Sequence, residues 1–413
     1  MVKVKGLEPY RPKEELAKQI ASKPYDVLNS EEARQAAQDN PYSFLHVVKS
    51  EIDLQKNISP YDEKVYQKAA DNLQKMKDEG WLYKDKPETF YIYRQIMDGH
   101  EQYGIVVAAS VDDYVDGKIK KNEKTREKKE KDRINHVKTT NAHTGPVFLT
   151  YNGQDKINNL VAEIAQSKPD YDFVAEDGIQ HTVWSTSEAE SVKIKDYFDE
   201  VPHTYIADGH HRSKAAYEVR KMRKEENPDH TGEEEYNYFL SVLFPHQQLE
   251  ILDYNRVVQD LNGLSKDDFL DKIEKNFEIE PVPDKKTAKP KERNHMGMYI
   301  DGEWYSLRVK KGSFDDNDPV KRLDVQILMD NLLSPVLEIG SPRTDDRIDF
   351  VGGIRGLEEL EKRVDSGEAV AFAMYPTSIE EVMDIADAGK LMPPKSTWFE
   401  PKLRSGLFVH DID

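Results

Sequence analysis

The stretch "TYIADGHHRSKAAYEVR", Thr204 to Arg220, decides how the chain is read. Thr204–Ala207 is rich in β-branched and aromatic residues and predicts a strand. Asp208-Gly209 predicts a turn, and Gly209 lets a ligand come close to the backbone because no Cβ stands in the way. The alanine-rich segment that follows predicts a helix with Ala215, Ala216, Val219 and Met222 facing inward. His210, His211 and Arg212 therefore stand at the mouth of a strand-to-helix elbow. A helix N-terminus offers unpaired N–H groups and a partial positive charge, so it attracts anions. Arg212 adds a planar fork that matches phosphate or carboxylate oxygens, and both histidines can donate to the same oxygens. Asp208 would cap the helix or hold Mg²⁺ on the phosphates. Gly209, His210, His211 and Arg212 are thus read as a phosphate cradle. Any one of them alone is as readily a surface turn; the unit as a whole favours function.

Other sites fit poorly. Adjacent histidines point in different directions on a helix, which argues against zinc. The chain has neither a P-loop nor a Gly-x-Gly-x-x-Gly fingerprint. It has no cysteine, which excludes disulfides and thiol chemistry. With 413 residues it is expected to hold two or three packed units. The formal charge of −19 disfavours general nucleic-acid binding. No apolar run approaches the ~18 residues of a membrane span, and "MVKVKGLEPYRPKEEL" lacks the apolar core of a signal peptide. A cytoplasmic protein is expected, with no membrane partner. A homo-oligomer is compatible with the sequence.

Outside the elbow, "DEKVYQKAADNLQKMKDEGWL" predicts a helix with Val65, Ala69, Leu73 and Met76 on one face, stopping near Gly80. "SEEARQAAQ" predicts another, with Ser30 as N-cap. Two strands joined at Asp98-Gly99 and a hairpin at Asp301-Gly302 are expected. "PVPDKKTAKPKERNH" reads as a linker or long loop. The fold class is α+β, with mixed sheets and packed helices. Three regions are expected, residues 1–115, 116–282 and 296–413, the middle one carrying the elbow.

Lys118 to Arg133 holds seven Lys, two Arg, three Glu and one Asp, a net of +5 in an acidic chain. Composition alone reads this run as a solvated helix with pairs such as Glu127–Lys131. Near the C-terminus, Pro393-Pro394 would hold Lys395, Ser396 and Thr397 at a fixed place, either to complete an anion site or to turn into a strand. Arg256 suits a structural ion pair or a second anion contact. Tyr25 and Asp26 would line a substrate pocket or shape a turn.

The segments "PYDV" (Pro24–Val27), "NPYSFLHV" (Asn40–Val47), "YIADGHHR" (Tyr205–Arg212), "YNRVV" (Tyr254–Val258) and "MPPKSTWFEPKLRSGL" (Met392–Leu407) resemble the domain of unknown function 1015 family over most of the chain. The Asp-Gly-His-His-Arg turn is similar to the phosphate-binding element of the ParB/sulfiredoxin-like superfamily. That resemblance implies a nucleotide-binding core of the same kind. Sulfiredoxins have Gly-Cys-His-Arg there and cradle ATP; His210 stands in place of the Cys, so sulfinic acid reduction is not implied. Free-serine kinases of the superfamily carry a His-Glu pair upstream, the Glu activating the serine hydroxyl. The resemblance implies that Glu123 is that carboxylate. Asn122 stands where the family pattern has His, which removes an imidazole and leaves the carboxylate intact.

Two functions from different classes follow. One is a nucleotide-dependent kinase for a small hydroxyl metabolite, free L-serine first, with ATP or ADP as donor together with Mg²⁺. Its catalytic residues would be Glu123, Asp208 and His211, since phosphoryl transfer needs positioning, charge neutralisation and a carboxylate to take the nucleophile's proton. The other is a nucleotide-operated regulatory module with little or no turnover.

Overall fold

The computed structural model describes residues 1–413, and the chain is a mixed α+β protein. It divides into two compact units, residues 1–249 with 401–413, and residues 250–400. The three consecutive regions expected from sequence are not what forms. The reason lies in strand pairing. His100–Ser110 pairs with Tyr238–Pro245 in one sheet, which joins the first region to the second. The last thirteen residues return to the same unit. No helix is long and apolar enough to cross a membrane.

The first unit is built on a nine-stranded sheet. Its order runs Ile119–Lys120, Thr204–Asp208, Val147–Tyr151, Tyr238–Pro245, His100–Ser110, Tyr91–Met97, Gln180–Ser185, Tyr171–Val174, with Val4–Lys5 also paired to His100–Ser110. Tyr91–Met97 and His100–Ser110 form the expected hairpin, and Asp98 and Gly99 take φ of 51° and 85°. Two positive φ values in succession suit the right-handed twist of the flanking strands. The core beneath the sheet gathers Ile105, Val107, Leu149, Ile206 and Phe198.

Three helices position the site. Glu63–Asp78 buries Val65, Ala69, Leu73 and Met76 as their spacing requires. Glu127–Thr140 packs between it and His210–Glu226. The basic run is therefore not one solvated helix. It splits into strand Ile119–Lys120, an irregular stretch and the start of helix Glu127–Thr140. Arg133, His136, Val137 and Thr140 are buried at helical spacing. On His210–Glu226 the buried face is Ser213, Ala215, Ala216 and Val219, whereas Met222 is exposed.

The second unit carries a six-stranded antiparallel sheet in the order Phe277–Val282, Glu303–Val309, His295–Ile300, Val370–Ala373, Tyr254–Val258, Ile348–Gly352. The Asp301-Gly302 hairpin forms as expected, with Ile300 facing Glu303. The supposed linker lies inside this unit and folds over Lys285–Ala288 into a short helix capped by Asp284.

Candidate functional site

The elbow forms as its residues require. Thr204–Asp208 runs parallel to Ile119–Lys120 and antiparallel to Val147–Tyr151, with a register shift between Ile206 and Asp208. Such an irregularity re-aims a side chain at the end of a strand. Gly209 has φ of 103°, and a Cβ there would stand 3.1 Å from Arg212 Nε. Helix His210–Glu226 starts at once, and no side chain caps it. Asp208 is not the cap. Its carboxylate lies 3.5 Å from Arg212 Nη2 and 3.4 Å from Lys402 Nζ. Burial pushes this carboxyl up, but Lys402 and Arg212 outweigh burial and hold it low. The other arm of Arg212 donates to the Pro146 carbonyl. The guanidinium is thus fixed from two sides beside an uncapped helix N-terminus.

The two histidines play a different part from the one expected. The backbone N–H of Asn122 donates to His210 Nε2 at 3.4 Å, and that of Arg126 donates to His211 Nε2 at 3.1 Å. Both Nε2 atoms accept, so each neutral ring carries its proton on Nδ1. Burial lowers His210 to about 4 although Asp208 pulls it upward. Burial also lowers His211, opposed by Glu123. The rings hold the segment 122–126 against the elbow, and only their Nδ1 protons are left for a ligand.

Asn122 is buried, and its side-chain amide donates to the Ile206 carbonyl at 2.8 Å. It anchors the residue before Glu123 to the elbow strand. Glu123 Oε2 lies 4.0 Å from His210 Nδ1, with the Glu123 side chain 44 % exposed. The carboxylate inferred from the family pattern and the elbow are therefore together. Lys121 places its ammonium 4.0 Å from the Tyr114 ring centroid, and burial, with Lys214 adding to it, lowers its pKa.

Tyr25 stacks under the Arg133 guanidinium at 3.8 Å. Burial, with Asp26 adding to it, raises the phenol pKa against the opposing fields of Arg133 and Arg212. Asp26 is exposed. Lys402 and Ser405 belong to the quoted C-terminal motif, yet sequence reasoning passed over them in favour of Lys395, Ser396 and Thr397. Lys402 is one of three cations in that motif, with Lys395 and Arg404, and nothing in the sequence ties it to Asp208.

Lys395, Ser396, Thr397 and Arg256 belong to the second unit. Arg256 is buried and donates to the carbonyls of Tyr254 and Lys395, the latter at 3.0 Å, so the expected ion pair is replaced by backbone oxygens. Burial pulls its guanidinium down to about 9. Ser396 Oγ donates to the Pro393 carbonyl at 2.7 Å. Lys395, at φ 61°, lies 5.4 Å from the Tyr254 ring centroid. These residues tie a turn together within that unit.

For Mg²⁺ the donor set is poor. Asp208 faces two cations, and no group of three His, Asp or Glu side chains is placed to hold a metal.

The family model described as "Protein of unknown function (DUF1015)" matches residues 4–326. No curated protein matches the chain. Among solved structures, a free serine kinase in complex with AMP is 14 % identical with a TM-score of 0.37, covering 75 % of this chain and 91 % of that one. SbnI with a C-terminal truncation, from Staphylococcus aureus, is 11 % identical with a TM-score of 0.38, covering 74 % and 87 %. A conserved hypothetical protein from Pyrococcus furiosus is 13 % identical with a TM-score of 0.35, covering 75 % and 97 %.

Proposed function

The chain belongs to the DUF1015 family, and we propose that its elbow holds the phosphates of a nucleotide while Glu123 directs phosphoryl transfer to a small hydroxyl acceptor. Free L-serine is the first acceptor to try, and ATP or ADP the donor. The observation that carries this reading is the helix beginning at His210 without a side-chain cap, with Arg212 fixed beside it by Asp208 and the Pro146 carbonyl. Unpaired N–H groups, the helix dipole and a guanidinium fork then face the same anion.

In the transfer step the acceptor hydroxyl oxygen forms a bond to phosphorus, and the bond from phosphorus to the bridging oxygen of the donor breaks. The hydroxyl proton passes to the Glu123 carboxylate, and the leaving nucleotide keeps the bonding pair. A base of this kind contributes roughly 10²–10⁴-fold in rate. Mg²⁺ would enter with the nucleotide as a shield for its charge; the protein groups here do not build a separate metal site, and the roles above belong to Arg212 and Glu123. Asp208 and His211 act as positioning residues for Arg212 and for the 122–126 segment.

A second reading, a nucleotide-operated switch, is favoured by the same two histidines. Because they accept N–H groups from Asn122 and Arg126, a ligand at the elbow is coupled mechanically to that segment. Phosphorus NMR with nucleotide, Mg²⁺ and L-serine separates the two. A phosphoserine resonance in the wild type that vanishes in Glu123→Gln supports the kinase. Nucleotide lines that broaden with no transfer support the switch.

A further inference from the structure

Behind the elbow, in the same unit, lies a cavity of about 30 Å³. One water needs roughly 10–15 Å³ by the same measure, so the space suits one small polar group and not a base or a sugar. Tyr25, Arg133, Thr144, Gly145, Arg212 and Ser405 are among its lining residues, and no Asp or Glu is. Asp132, which pairs with Arg133, lines the neighbouring cavity instead, where Tyr66 donates to it at 3.0 Å.

Two features mark this cavity as built for an anion. Arg133 is 8 % exposed, lies 3.8 Å from the Tyr25 ring centroid, and donates from Nε and Nη2 to Asp132 Oδ2, so the guanidinium is held rigid at the wall with Nη1 left to donate. Ser405 is 2 % exposed and stands in the cavity wall, where its hydroxyl can donate to an occupant. Gly145 adds to the case: a Cβ there would stand 3.2 Å from Ser405 Oγ and 3.8 Å from Arg212 Nη1, in the space between them.

We infer that this cavity is a carboxylate subsite, with Arg133 and Arg212 supplying the charge and Ser405 a hydroxyl donor. Resting on the phosphotransfer reading above, it seats the carboxylate of the acceptor, which makes the acceptor a small hydroxy acid or hydroxy amino acid. A planar two-oxygen group can take one charge-assisted bond from Arg133 Nη1 and one from the Ser405 hydroxyl, and it suits the space. Arg212 borders both the elbow and this cavity, so one residue would place donor and acceptor relative to each other.

The test is ligand-observed NMR on the full chain, titrating L-serine and its carboxylate-free analogue serinol with and without ADP. L-serine is expected to bind at least tenfold more tightly than serinol. Ser405→Ala should weaken L-serine by about tenfold, the loss of one hydrogen bond to a charged group, with ADP binding unchanged. Arg133→Lys, which keeps the charge but loses the fork, is a second lesion should the first be silent for packing reasons. Equal binding of serinol and L-serine, binding of neither, or L-serine affinity within twofold of wild type in both variants overturns the subsite. If ADP does not bind while L-serine is still preferred, the phosphotransfer reading fails and the subsite stands. If ADP binds without any such preference, the subsite fails and the phosphate cradle stands.

Discussion

The carboxylate of Glu123 lies 4.0 Å from His210 Nδ1, the only ring nitrogen of His210 that can still donate. Changing Glu123 to Gln keeps the size of the side chain and removes the base. Turnover should fall by roughly 10²–10⁴-fold while nucleotide affinity stays near wild type; a variant that transfers at the wild-type rate would remove Glu123 from the chemistry. Gly209 makes the opposite kind of prediction, since it acts through the backbone. At φ 103° with Arg212 atoms 3.1–3.3 Å from a would-be Cβ, Gly209→Ala is strained and pushes the guanidinium aside. The left-handed conformation alone costs about 1–2 kcal/mol, readable as a lower denaturation midpoint, and nucleotide binding should weaken with it. At this scale the sequence was legible where the chemistry was local. Asp-Gly followed by His-His-Arg announces an elbow by itself. The acceptor role of both imidazoles was not legible, because it depends on backbone N–H groups of Asn122 and Arg126, more than eighty positions away.

Among the elements, helices and hairpins followed their periodicity and caps. The helix Glu63–Asp78 buries the four residues its spacing selects, and both Asp-Gly turns close hairpins. Small errors came from neighbours competing for one role. Asn29, not Ser30, caps the helix Ser30–Ala37, through a reciprocal box in which Asn29 Oδ1 accepts from Glu32 N–H and Glu32 Oε2 accepts from Asn29 N–H. Both residues are good caps, and only the completed box decides between them. Asn29→Ala should cost about 1 kcal/mol, seen in thermal unfolding, whereas Ser30→Ala, which keeps the box, should cost less. A larger loss at Ser30 would mean its hydroxyl bond to Glu51 Oε1, at 2.8 Å, matters more than the cap. The basic run misled because composition hides direction: a Lys/Glu-rich segment looks solvated until Arg133, His136, Val137 and Thr140 are placed on one buried face.

For the whole molecule, the division into units was hidden from a reading that moves along the chain. Only pairing of His100–Ser110 with Tyr238–Pro245 shows that distant segments share a sheet. That first unit buries an unusual set of neutral histidines. Burial is the leading cause in each case: it lowers His143 and His181 to about 3, His210 and His410 to about 4, and His136 well below its ordinary value. Unfolded, these groups titrate near 6.5. A folded pKa below the unfolded one means the unfolded chain binds more protons in this window. Stability is then undiminished above pH 6.5 and falls as pH drops toward 4, by up to about 1.4 kcal/mol per pH unit for each histidine. Two groups oppose the trend. His46 is raised by its hydrogen bond to Asp53, and Asp324 in the second unit is pushed up to about 7 by burial. They are outnumbered, so the urea midpoint of the first unit should drop steeply between pH 6.5 and 4.5. A flat profile there would show that water reaches these rings.

The central claim is that the elbow is a phosphate cradle whose charge comes from Arg212. The most direct measurement is calorimetric titration of ADP and ATP into the wild type and Arg212→Ala at low and moderate salt. Loss of a charge-assisted contact should weaken binding by about tenfold or more, with a smaller salt dependence in the variant. Equal affinity in both proteins, or no nucleotide binding by the wild type, would contradict the claim.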